Sequence, residues 1–339
     1  MLVGLFLFAY PNAYEDLMTM KRRTLFGLVA LAVASCTQAP AEPIAETAPK
    51  AVMAPLDSTP RLAILAAYQP EIEALLPSLS AIEEYQVNGV EFYTGKMEGV
   101  DVVVFMTGIS LVNAAMNTQL VIDHFEINAI LVSGVAGGVD PSLSFADVTV
   151  PAKWGQYNEM VFMREAAPGE FVPHPGLGPE FPAYEFMGPR GMHVATQDDP
   201  SPTTSKFWYE ADPELMAAAQ VASETVEFKQ CIDAETCLPR TPIVVLGGNG
   251  VTGSVFQDNA DFREYLFETF EAQVVEMETS AIATVAYANG IPYIGFRSLS
   301  DLAGGGGGVN EYPIFEVLAA ENAAAFLREF LIAYRPEAD

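Results

Sequence analysis

Short apolar runs alternate along this chain with longer stretches whose apolar positions recur every three to four residues, the pattern of strands alternating with amphipathic helices. Arg61–Ala67 reads as a strand, and Pro70, at a favoured first helical position, opens a helix. Val90–Thr94 and Asp101–Thr107 flank a turn at Lys96–Gly99 and read as a hairpin. Leu111–Phe125 has helical periodicity. Ala129–Ser133 is a buried-strand run ending in Gly134-Val135-Ala136-Gly137-Gly138, and Asp147–Val150 starts another strand. A helix opens at Pro213, Ile243–Leu246 is a strand, Asn259–Phe270 a helix, and Ile314–Tyr334 a long terminal helix. Arg164–Asp212 is rich in Pro, Gly and aromatics without a period, the mark of an insertion or long loop. Together these elements predict a single α/β domain built on a sheet flanked by helices.

The stretch QVVEMETSAIATVAYANGIPYIGFRSLSD, Gln273 to Asp301, adds chemistry to this pattern. A strand through Val274-Val275 leads into Glu276, Met277 and Glu278. A helix follows from Thr279 to Ala288, stopped by Asn289-Gly290, and a second strand from Ile291 ends in Ser300-Asp301. In open α/β sheets ligands bind at strand ends, so acids at two such ends can converge on one ligand. The competing structural reading makes Glu276 and Glu278 acids at a helix N-terminus and Asp301 a turn residue.

The amino terminus has a different character. Met20-Lys21-Arg22-Arg23 is a basic segment, Leu25–Ala34 an apolar one, and Val33-Ala34-Ser35-Cys36 places small residues before a cysteine. This resembles a bacterial lipoprotein signal, with Cys36 lipidated and the residues before Met18 or Met20 an upstream mis-start. Ten apolar residues are too few to span a bilayer comfortably. Residues 1–35 are therefore expected to be the signal, 36–60 a Pro/Ala-rich tether and 61–335 the folded domain. Thr37, rather than Asp, after Cys36 points to the outer membrane, so the expected location is extracytoplasmic, on the periplasmic face. The two other cysteines, Cys231 and Cys237, lie in a polar stretch; in an oxidising compartment that spacing closes a local disulfide, while a metal or catalytic-thiol role lacks nearby histidines.

Composition narrows the partners. A formal charge of −28, from 16 Lys+Arg against 44 Asp+Glu, argues against nucleic-acid polymers and favours a neutral or cationic small ligand. The 3 histidines stand far apart, and no metal pattern or phosphate loop is present, so neither metal nor cofactor is expected. Gly304–Gly308 lacks the Lys-Ser/Thr of a phosphate loop and reads as a lid or turn.

Three segments carry a family resemblance: LAILAAYQPEIEALL, ILVSGVAGGVDPSLSFADV and VVEMETSAIA…FRSLSD. Over about Arg61–Tyr334 the chain resembles the purine nucleoside phosphorylase/uridine phosphorylase superfamily, in particular the methylthioadenosine/S-adenosylhomocysteine nucleosidases. CIDAETCLPR and RSLSDLAGGG are further similar to the plant bark and vegetative storage proteins. The resemblance implies a single domain with a mixed central sheet flanked by helices, and hydrolysis of a purine nucleoside or 5′-thio-nucleoside. It implies Glu71 as the activator of water, Asp301 as the acid that protonates the base, and Met277 and Glu278 as the pair that holds the ribose. Glu276, Gly137, Val251 and Arg297 are the further substrate-binding positions it implies, Arg297 by ordering a glutamate or water. A homo-oligomer is implied too. Three positions depart from the family: Gly250 stands where a base-stacking aromatic is expected, Val135 where a serine is common, and Tyr68 where a smaller residue sits. The alternatives are a phosphorylase, or a lipoprotein that binds nucleoside or base without catalysis.

Overall fold

The computed structural model describes residues 55–334. Strand β1 (Asp57–Ala66) is buried from Arg61 onward, and its successive side chains go to opposite faces: Leu62, Ile64 and Ala66 to one hydrophobic cluster, Ala63 and Leu65 to another. It begins inside the stretch read as tether. Asp57 accepts from Thr59 N–H and pairs with Arg61, polar contacts that a search for apolar periodicity passes over. Helix α1 (Gln69–Leu75) follows, with Pro70 in its first turn. An antiparallel meander comes next: β2 (Ser80–Val87), β3 (Val90–Met97) and β4 (Val100–Met106). Its two tight turns, Asn88-Gly89 and Glu98-Gly99, each have positive φ at both residues, which suits the twist of the flanking strands.

Helix α2 (Leu111–His124) runs into β5 (Phe125–Gly138), longer than its apolar run because the glycine-rich tail stays extended. β6 (Val148–Val150) and β7 (Lys153–Gln156) precede an excursion of short strands, β8 (Met160–Phe162), β9 (Arg164–Ala167), β10 (Glu170–Val172), β11 (Met187–Pro189) and β12 (Trp208–Glu210). The rest is α3 (Pro213–Ala222), β13 (Val244–Leu246), β14 (Asn249–Thr252), α4 (Ala260–Phe270), β15 (Ala272–Glu276), α5 (Thr279–Asn289), β16 (Tyr293–Asp301) and α6 (Tyr312–Ala333). Asn259 caps α4 by accepting from Phe262 N–H, and Gly290, at φ 67°, ends α5.

Twelve strands form one mixed sheet with the path β12-β7-β14-β15-β5-β1-β4-β3-β2, and β16 lies on β5 and β6. β5 is its spine. It runs parallel to β1 and β16 along most of its length, then pairs antiparallel with β15 through Gly137 and Gly138. That change of partner brings the ends of β15 and β16 together at the glycine-rich tail. One face of the sheet packs on α6 through Phe296, Phe326 and Phe330, the other on α2 and α5 through Phe105, Val121 and Ile282. Cys231 and Cys237 are bonded to each other in the loop before β13. Beside them Arg240 makes a two-pronged pair with the buried Asp147. The expected signal segment, Cys36 and the tether as far as 54 lie outside the described residues.

Candidate active site

Glu71 sits in the first turn of α1, where its carboxylate is 3% exposed. It accepts from Ala67 N–H at 2.5 Å and from Val135 N–H at 2.8 Å. A backbone donor at residue 135 makes the missing serine hydroxyl immaterial to this contact. Burial pushes the Glu71 carboxyl upward, opposed by Arg297 and those N–H groups.

Arg297, on β16, is buried and central. Its guanidinium lies 2.5 Å from Glu276, 3.6 Å from Glu71 and 3.7 Å from Glu278, and it donates to Thr279 Oγ1 at 2.8 Å. It does not line the cleft. It lies behind the cleft wall, in contact with three glutamates. Gly134 makes this possible: a Cβ there would collide with both the Glu71 carboxylate and the Arg297 guanidinium.

Glu276 ends β15 and borders the cleft, but its oxygens are fully engaged. They accept from the Thr252 hydroxyl, Glu278 N–H (3.0 Å), Thr279 N–H and Oγ1 (both 2.8 Å) and Arg297. These contacts fix its carboxylate in place at the cleft wall. Glu278, at the N-cap of α5, is less committed: Oε1 accepts from Ser110 N–H at 2.8 Å and Oε2 is held only loosely by Arg297. Burial and the neighbouring Glu276 push its carboxyl up to about 8.

Asp301 closes β16 opposite Gly137. It is 3% exposed and accepts from Ala303 N–H at 2.8 Å and Ser300 Oγ at 3.0 Å. Burial raises its carboxyl above the ordinary aspartate value.

Glu71, Glu278, Asp301, Met277 and Gly137 all border one cleft, which encloses about 610 Å³ of empty space including its open mouth. Its other lining residues are mostly apolar and aromatic, Ile109, Phe256, Tyr68 and Tyr312 among them, with the Tyr68 and Tyr312 ring centroids 6.5 Å apart, and include the polar Gln257 and Ser300. No Lys, Arg or His is among the described residues lining it. Burial, then Tyr312 and Glu71, hold the Tyr68 phenol well above its usual value, so it stays protonated.

Two expected positions are displaced. Val251 is fully buried in the core beside Tyr157 and Val275, not in the cleft. Gly250 is also in β14, where a Cβ would strike the Trp154 indole. Past the end of β14 the cleft is instead lined by Phe256, edge-on to Tyr312 at 5.6 Å. The signal for it was present: ligand groups sit past strand ends, and GSVFQ is the segment past this one.

A family model described as the phosphorylase superfamily matches residues 61–332. A 5′-methylthioadenosine/S-adenosylhomocysteine nucleosidase of Halalkalibacterium halodurans is 31% identical over 268 residues, covering 78% of this chain and 94% of that protein. Its counterpart in Geobacillus kaustophilus is 29% identical over 268 residues, covering 79% and 95%. Among solved structures, the nucleosidase of that name from Neisseria meningitidis, in complex with methylthio-immucillin-A, matches with a TM-score of 0.60 at 21% identity, covering 80% of this chain and 98% of that one. Futalosine hydrolase of Helicobacter pylori matches with a TM-score of 0.58 at 22% identity, covering 80% and 97%. These structures share the fold.

Proposed function

The chain belongs to the phosphorylase superfamily, and from that premise we propose that it is a nucleosidase hydrolysing the N-glycosidic bond of a purine nucleoside or a 5′-thio-nucleoside, the class its relatives are named for. The observation that carries this reading is the convergence of three buried acids, Glu71, Glu278 and Asp301, on one cleft with no cationic side chain among the described residues that line it.

Each acid has a distinct task. Cleavage passes through a sugar with oxocarbenium character, so positive charge develops close to the acids of the cleft, Glu71 with its Arg297 and backbone partners among them. The purine leaves readily only if it is protonated. Asp301, whose carboxyl burial raises above the ordinary aspartate value, is the acid placed to donate that proton. Glu71 orients water and takes its proton, kept ionisable by Arg297 and two backbone donors. Glu278 accepts from the sugar hydroxyls, and the ring of Phe256 packs on the base.

Phosphorolysis is disfavoured by the same walls. A phosphate dianion needs cationic partners, and Arg297 is already committed to three carboxylates. The test is release of free base by the purified protein from a nucleoside panel, with and without phosphate. Release is expected without phosphate, and Asp301→Asn is expected to slow turnover by about 10²–10⁴-fold. Release only with phosphate would make it a phosphorylase. Nucleoside binding without release would support a binding lipoprotein.

The proposal extends to location and assembly. The basic segment, the apolar run and the small residues before Cys36 support a lipid anchor at Cys36, with the domain held at the periplasmic face of the outer membrane. A homo-oligomer is supported by Val112 and Met116, which expose 77% and 58% of their surface on α2.

A further inference from the structure

Ser110 departs from two local rules at once. It stands at the N-cap of α2, where a serine hydroxyl ordinarily accepts from the first-turn N–H groups. Here the hydroxyl caps nothing and donates to Ser254 Oγ at 2.7 Å. Its backbone, at φ 81° and ψ 160°, lies in a region adopted almost only by glycine, and it has the largest positive φ among the described non-glycine residues. Such a conformation persists only where surrounding contacts over-determine it. Those contacts are with two walls of the cleft. The Ser110 N–H donates to Glu278 Oε1 at 2.8 Å, and Ser254 opens the segment that carries Val255, Phe256 and Gln257 to the cleft.

We propose that Ser110 is a positioning residue that aims Glu278 at the sugar and ties the Phe256 wall to the start of α2. Stability alone does not account for the arrangement. A glycine would supply the same N–H without strain, and a serine with ordinary extended backbone would cap the helix. Only the combination of this backbone with this hydroxyl reaches Glu278 and Ser254 together. The inference rests on the reading of the cleft as a nucleoside site.

The test compares Ser110→Ala, Ser254→Ala, their double variant and Ser110→Gly with the wild type. The readouts are KM and kcat for nucleoside, affinity for nucleoside and for free base, and Tm. Each alanine variant is expected to raise KM by about three- to tenfold, one hydrogen bond's worth, with a smaller change in kcat. The double variant should lose no more than either single one, because all three break the same Ser110–Ser254 link. Ser110→Gly and Ser110→Ala both lack the hydroxyl, so their difference isolates the backbone, and the glycine variant should melt about 2–4 °C higher. Additive losses in the double variant, unchanged KM in the single ones, or a glycine variant that melts no higher than alanine would overturn the proposal. If the wild type releases no base, the nucleosidase reading fails separately, and nucleoside affinity across the same variants still decides the role of Ser110.

Discussion

At the scale of single residues, burial sets the chemistry of the cleft. Three carboxylates surround one guanidinium, and a buried charge without full compensation is costly. Burial and the neighbouring Glu276 lift the Glu278 carboxyl to about 8. A carboxyl whose folded value exceeds its unfolded value of about 4.3 favours folding while both states hold the proton, and that contribution is lost as pH rises through the folded value. Glu278→Gln removes the loss. Its melting temperature relative to wild type should therefore rise steadily from about pH 5 to pH 9, while its nucleoside affinity falls more than its affinity for free base. A difference in Tm that stays flat with pH would remove Glu278 from this account. Glu276, Glu278 and Asp301 were legible because strand ends and a helix start mark them, and Glu71 through the family resemblance. The aromatic was missed although its signal was there, because the expected position fell on Gly250, inside β14, while Phe256 lies in the segment past that strand's end. The contacts that hold Glu276 were equally hidden, since its partners Thr252 and Arg297 lie far away in sequence.

Elements follow the same logic. Those with apolar period, β1, α2, α4, α5 and α6, were readable to within a few residues. β2 was not, since nearly all its side chains face solvent at the sheet edge and leave no alternation to detect. β7 and β14 are four residues each and contain glycine, so their extended state comes from neighbouring strands and not from their own propensity. β5 matters most for function. Its glycine-rich tail lets a carboxylate and a guanidinium occupy the space of a side chain. Gly134→Ala should push Glu71 and Arg297 apart, lowering Tm by several degrees, consistent with overpacking of about 1–3 kcal/mol. Base release should fall at least about tenfold, the change that 1.4 kcal/mol of lost transition-state stabilisation produces. A variant that is destabilised but keeps full turnover would show that Gly134 serves packing alone.

At the scale of the molecule, fold class and the mixed sheet could be anticipated from the order of strands and helices together with the family resemblance. The change of partner along β5 could not, because register is a property of pairs of strands and no single segment encodes it. Assembly is testable here. Val112→Lys, at an exposed apolar position on α2, should shift the protein toward monomer in sedimentation, with Tm nearly unchanged at low protein concentration. An unchanged sedimentation profile would move any interface elsewhere. The shared guanidinium of Arg297 also has a consequence for descent. Glu71, Glu276 and Glu278 cannot drift one at a time, because each loss alters the charge balance felt by the other two and by the arginine. Lineages of this fold that abandon catalysis should therefore replace the cluster as a block or inherit it whole. Among relatives, the fate of the unshared Asp301 should record the loss of chemistry earlier than that of the glutamates.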